Sequence, residues 1–193
     1  MQSAQSMLFL ISTFLFSFVT RSPAQEAPAS PSLIDRFELS LEIRTHEQFI
    51  ARRRRAGAAL APFTSDGCSG GMSAAWRIAS SAFPVLAQRH GEHPPWESCC
   101  IEHDRLYHKG GPRDANAQGS FEARRAADEQ LHQCVIRIGD ERVEVLAAEY
   151  GLKENEVKSI YQRVADVLYR AVRMGGAPCT GLPWRWGFGW PDC

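Results

Sequence analysis

Between Cys99 and Tyr107 the chain carries Cys99, Cys100, His103, Asp104 and Tyr107, side chains that can cross-link, move protons or hold a cation. Cys99 and His103, Cys100 and Asp104, and His103 and Tyr107 are each four positions apart, which on a helix stacks the pairs on neighbouring stripes. Such a helix could be stapled twice from its first turn while aiming an imidazole, a carboxylate and a phenol at one region a turn later. The same spacing also suits a disulfide-stapled structural helix whose polar groups are incidental.

A second stretch bears on that choice. Phe121, Arg124, Asp128, Leu131, Val135 and Ile138 recur three and four positions apart, the pattern of one helical stripe. Asp128 sits in its middle, and an ionised carboxylate on an apolar face is costly without a donor or cation beside it. Arg124, one turn earlier, is one possible partner. The other is His103, whose ring Asp128 would orient with one nitrogen while the second faces water as a general base. With such partners, Asp128→Asn is expected to fold with little loss, because an amide can still hydrogen-bond.

The elements that must position these groups are helices. Pro94-Pro95 opens a helix from about Trp96 to Lys109 that Gly110-Gly111 ends. Another spans about Phe121 to Ile138, and a third about Glu154 to Met174, with Val157, Ile160, Tyr161, Val164, Leu168 and Val172 on one face. Upstream, Leu33 to about Leu60 reads as helical and closes on the run Arg52 to Arg55. That run suits the helix dipole or, alternatively, anionic lipid headgroups. Asp66-Gly67-Cys68-Ser69-Gly70-Gly71 is a Gly-rich loop, and Ser73 could cap a short helix from Ala74 to before Pro84. With no convincing strand alternation and no internal repeat, the class is mostly α.

The chain has 193 residues, which favours a single domain, here 33–193. Lys plus Arg (22) balance Asp plus Glu (22), so no bulk positive field is present to drive nonspecific nucleic-acid binding. At 44% hydrophobic and 23% charged, wholesale disorder is excluded. The thirteen-residue apolar run Met7–Val19 is short of the ~20 residues a membrane span needs, and Ser22-Pro23-Ala24 offers a cleavage site after Ala24. The expectation is a signal peptide over 1–24, with an uncleaved anchor as the alternative because no Lys or Arg precedes the run. A flexible leader over 25–32 would follow. The protein would then be secreted or periplasmic, where six cysteines read as three disulfides with about fifteen possible pairings.

Together the strings carry a resemblance. Cys99-Cys100-Ile101-Glu102-His103-Asp104-Arg105-Leu106-Tyr107 resembles the Cys-Cys-x-x-His-Asp-x-x-Tyr signature of secreted phospholipases A2. Asp66 to Gly71 is similar to their calcium loop, and Asp128 with Cys134 six residues later matches their partner helix. The resemblance implies a disulfide-stapled fold with two antiparallel central helices, a Gly-rich calcium loop and, as in the shorter prokaryotic and fungal forms, no β-wing. It implies Ca2+-dependent hydrolysis of a phospholipid acyl ester, with a phospholipid surface as partner and substrate. His103 would be the base, oriented by Asp128 with help from Tyr107, and Asp104 would bind Ca2+. Loop carbonyls of Gly67, Ser69 and Gly71, or instead Asp66 and Gly67, would complete the shell. The pairings it implies are Cys68–Cys100 and Cys99–Cys134, leaving Cys179 and Cys193 as the third. The interval between Cys68 and Cys100 is about twice that usual in the family, so 72–96 is an insertion expected to form a lid or a surface for a protein partner. The first helix and the tail have no counterpart.

Three other readings arise from the residues. His90, His93, Cys99, Cys100, His103 and His108 could form a zinc site. Trp184, Trp186, Phe188 and Trp190, at alternate positions, would share one face of a strand, covering the third helix or forming an interfacial patch. A noncatalytic lipid- or protein-binding module on the same scaffold is the rival to an enzyme.

Overall fold

In the computed structural model, the residues described are 33–68, 88–91 and 93–193. The Met7–Val19 segment, the leader, Ser69, Gly71 and the short helix after Ser73 lie outside them, as does most of the 72–96 insertion. Five helices carry the site: α1 (Leu33–Arg53), α2 (Glu97–Lys109), α3 (Ala117–Glu141), α4 (Val143–Tyr150) and α5 (Glu154–Gly175). No strand occurs among the described residues.

The Asn116 carboxamide caps α3 by accepting from Gly119 N–H at 2.8 Å, worth about 1 kcal/mol, and so starts the helix four residues ahead of the apolar stripe. At α5 the Glu156 carboxylate reaches back to Lys153 N–H at 2.8 Å. α4 is an element the sequence reading did not include. The buried stripe of α5 is Val157, Tyr161, Ala165 and Leu168, while Ile160, expected on it, is exposed.

α3 lies between two apolar clusters. On one side Leu131 and Val135 meet Leu146, Val157, Ala165, Leu168 and Trp96. On the other, Ala127 meets Phe49 and Ile50 of α1, Tyr107, and the tail's Trp186 and Trp190. Full burial of each large apolar side chain contributes about 1.5–3 kcal/mol, so α3 is held by packing on two faces.

α1 ends at Arg53 rather than near Leu60, and the arginine run explains why. Arg53, buried, donates to the carbonyls of Gly110 (3.0 Å), Gly111 (3.4 Å), Pro112 (2.8 Å) and Arg113 (3.2 Å). Arg52 donates to Asp192 O (2.9 Å) and Arg54 to Ala115 O (3.3 Å). Arg52 and Arg53 lie in the last turn of α1, and these three guanidiniums bond backbone carbonyls of distant segments.

The tail is a run of turns, not a strand, and it covers α2 more than the third long helix. A helix leaves its last carbonyls unpaired, and here the tail supplies their donors. Gly187 N–H reaches Tyr107 O (2.7 Å), Gly189 N–H reaches His108 O (3.2 Å), and the Trp190 indole reaches Lys109 O (2.9 Å). Trp186 and Trp190 are thus buried, and Trp184 alone of the three remains well exposed.

Three disulfides join Cys68–Cys100, Cys99–Cys134 and Cys179–Cys193. They fit a chain that matures outside a reducing compartment. With Cys99 and Cys100 both oxidised, the zinc reading loses its thiolates and is discarded. No helix among the described residues is long and apolar enough to cross a membrane.

Candidate active site

Cross-links and contacts descend in register, Cys99 with Cys134, His103 with Asp128, Tyr107 with Arg124, so α2 and α3 run in opposite directions. This places the one-turn steps of α2 against the stripe of α3. The Asp128 side chain, fully withdrawn from water, meets three donors. Oδ1 accepts from His103 Nε2 at 2.8 Å and from the Tyr107 hydroxyl at 2.7 Å, and Oδ2 accepts from Arg173 Nη1 at 3.0 Å. With Nε2–H committed to Asp128, Nδ1 is left as the ring's proton acceptor.

Of the two partners considered for Asp128, His103 is bonded to it and Arg124 is not. Arg124 donates from Nε to the Tyr107 oxygen (3.1 Å), from Nη2 to the carbonyls of Val172 (2.8 Å) and Arg173 (2.7 Å), and from Nη1 to Glu42. Burial first, and the Asp128 charge next, push the Tyr107 phenol well above its ordinary range, so it stays protonated and donating. Its ring packs against His103 with centroids 4.1 Å apart and edge-on to Trp186. Gly176 lets the chain after α5 close on this group, since a Cβ there would lie 2.5 Å from the Tyr107 oxygen.

Asp104 faces the loop. Its Oδ2 accepts from the Ser65 hydroxyl at 2.6 Å, and Ser65 Oγ in turn accepts from Gly67 N–H at 3.1 Å. Gly67 has φ +70°, a conformation that favours glycine, and a Cβ there would make the Glu97 side chain shift. Burial pushes the Asp104 carboxyl up to about 6; the Ser65 bond and His103 oppose this, and the Asp66 charge adds to it. Asp104 is thus a half-buried carboxylate with the Asp66 carboxylate near it. Among the described residues no three His, Cys, Asp or Glu side chains converge on one point. Asp104, Asp66 and Gly67 could hold a cation; Ser69 and Gly71 are outside the described residues.

No protein-family model matches this chain, and no curated protein or solved structure does either.

His103, Asp104, Tyr107, Gly67 and the Cys68–Cys100 bridge line one cleft, whose other wall is apolar: Leu131, Leu168, Ala171, Val172 and Trp184. The cleft joins a proton acceptor, an acidic group and a greasy surface. Sequence reasoning missed Arg173, Glu42 and Ser65. For Glu42 a local signal existed, its position four residues before His46 on a helix. Arg173, in the last turn of α5, carries no such local signal.

Proposed function

We propose that the protein is an exported, Ca2+-dependent hydrolase of phospholipid acyl esters, of the phospholipase A2 type, releasing fatty acid and lysophospholipid at a membrane surface. The observation that carries this reading is the convergence of His103, bonded to Asp128 and packed on Tyr107, with Asp104 in a cleft that has an apolar wall. The motif residues of the resemblance agree with it.

In this reading His103 Nδ1 takes a proton from the attacking water and later returns it to the leaving alkoxide. Asp128 keeps the ring in the Nε2–H tautomer and offsets the charge that forms on it, while Tyr107 holds the carboxylate in place. Asp104, with Asp66 and Gly67, holds Ca2+. When bound, the ion supplies positive charge where the ester carbonyl oxygen becomes negative. Leu131, Leu168, Val172 and Trp184 offer the surface along which an acyl chain lies out of water.

The test is fatty-acid release from mixed phospholipid vesicles by the folded, disulfide-bonded protein. Release is expected with Ca2+, lost with chelator, and reduced roughly 10²- to 10⁴-fold in His103→Gln, whose amide can still donate to Asp128. Release that ignores both chelator and the variant would sink the reading. Vesicle binding without release under any condition would put a binding module in its place.

A further inference from the structure

α5 buries Val157, Tyr161, Ala165 and Leu168, and the remaining faces of such a helix are expected to be polar. One of them is not. Val167, Ala171 and Met174 step by four and three residues and form a second stripe that faces water, with Val167 57% and Met174 85% exposed and Ala171 exposed between them. Arg170, also exposed, stands on the same stripe, between Val167 and Met174.

The tail extends this stripe. The Trp184 indole is 42% exposed and lies against the end of α5, where a Cβ on Gly175 would stand 3.8 Å from its Nε1. The residues after it are bonded in place. Arg185 pairs with Asp192 at 2.8 Å and donates to Trp190 O at 3.0 Å, and Trp186 N–H donates to Gly176 O at 2.8 Å. Trp184 is thereby set beside the turn of α5 that carries Met174.

Ala171 and Trp184 also line the cleft that holds His103. The exposed stripe is therefore continuous with the cleft wall of Leu168 and Val172, and whatever covers the stripe also meets the mouth of the cleft. A protein partner or a second copy seated there would cover that mouth, whereas a phospholipid bilayer would feed it. The composition fits a bilayer: Trp favours the headgroup boundary, Val and Met the acyl layer, and an Arg among them keeps its charge at the phosphates while its stem lies on apolar surface. The acidic neighbour, Asp166, is engaged on the other side, its Oδ1 accepting from His132 at 2.8 Å and from Gln162 at 3.1 Å.

We propose that Val167, Arg170, Ala171 and Met174 of α5, with Trp184 of the tail, form a docking face for a phospholipid bilayer, seated so that the cleft opens onto the boundary between headgroups and acyl chains. The use made of that orientation rests on the hydrolase reading above; the docking itself does not.

The experiment is sedimentation of the full, disulfide-bonded chain with phosphatidylcholine vesicles in chelator. The double variant Val167→Gln, Met174→Gln changes exposed side chains outside the cleft and should bind roughly tenfold or more weakly than the wild type. Met174→Gln alone carries the test if the double variant does not fold. Phospholipid brominated near the headgroup should quench the fluorescence of the wild type, and Trp184→Phe should remove most of that quenching. With Ca2+, the double variant should cleave a short-chain phospholipid dispersed as monomers at the wild-type rate, while its cleavage of vesicles falls with its binding. Vesicle binding that is absent in the wild type, or equal in the variant, overturns the proposal. Self-association of the wild type that the variant loses, without vesicle binding, overturns it too and makes the face a contact between copies. Stripe-dependent vesicle binding with no fatty acid released under any condition overturns the hydrolase reading and leaves the docking face standing.

Discussion

Arg173 Nη1 stands 3.0 Å from Asp128 Oδ2, the carboxylate oxygen that His103 does not use. The two residues are 45 positions apart, so the last turn of α5 supplies a charge that the middle of α3 needs. That relationship changes what a substitution at Asp128 does.

Asp128→Asn is expected to cost roughly 3–5 kcal/mol, because it removes the carboxylate bonded to Arg173 Nη1 from a buried ion pair. An amide would satisfy His103 and Tyr107, but not the charge of Arg173. Chemical denaturation of the variant and the wild type measures this. A loss below about 1 kcal/mol would mean that Arg173 does not depend on Asp128.

Asp104 makes the opposite contribution. Its folded carboxyl titrates at about 6, above the ordinary 3.8, so between those values the folded chain binds a proton that the unfolded chain has released. Stability from this group therefore falls as pH rises from about 4 to about 6 and stays low above that. Without divalent cation, Asp104→Asn should be the more stable protein at pH 7, by on the order of 1 kcal/mol once its partial exposure is discounted, with the advantage fading toward pH 4. Adding Ca2+ should reverse the order at pH 7. Thermal unfolding with and without chelator reads both effects; a less stable Asn variant in chelator would show that Asp104 is already paired.

His46 gives the fold an acid-sensitive point. Burial above all, with Arg124 and Arg173, holds its imidazole below the ordinary 6.5 despite Glu42. The unfolded chain thus takes up a proton below about pH 6.5 that the folded chain refuses, so stability is intact above that pH and falls beneath it. His46→Gln, which can still bond Ser120, should lose less stability between pH 7.5 and 5.5 than the wild type. Equal losses in urea titrations at the two pH values would remove His46 from this role.

The Cys99–Cys134 bridge ties the helix bearing His103 to the helix bearing Asp128. Replacing both cysteines with alanine should cost about 2–5 kcal/mol. Peptide mapping without reduction should recover Cys99 with Cys134 and Cys68 with Cys100. Recovery of Cys99 joined to Cys68 would contradict the arrangement.

His103, Tyr107 and Asp128 are legible in the sequence because each lies on a stripe whose period is local: four-residue steps on α2, three- and four-residue steps on α3. Their long-range partners are not. Glu42 and Arg173 are 131 positions apart, and nothing in the pattern of α1 says which helix it will meet. The start of α3 was misplaced because a polar cap, Asn116, extends a helix beyond its apolar pattern. The Trp-rich tail alternates like a strand, yet without a partner strand its backbone groups instead satisfy the carbonyls at the end of α2. At Arg52 to Arg55 the run suited the helix dipole or lipid headgroups, whereas carbonyls at 110–115 receive Arg53 and Arg54 and that of Asp192 receives Arg52.

The closure of α2 also bears on the order in which the protein is made. Lys109 receives its indole donor from a residue synthesised 81 positions later, and His108 its donor from Gly189, while Tyr107 O, already reached by Gly110 N–H, gains a second donor in Gly187. A nascent chain that has already exposed His103 and Asp128 has the Gly110 cap of the His103 helix but not yet the donors to His108 and Lys109. Completion of the end of the His103 helix is thereby deferred until Trp190 has been synthesised.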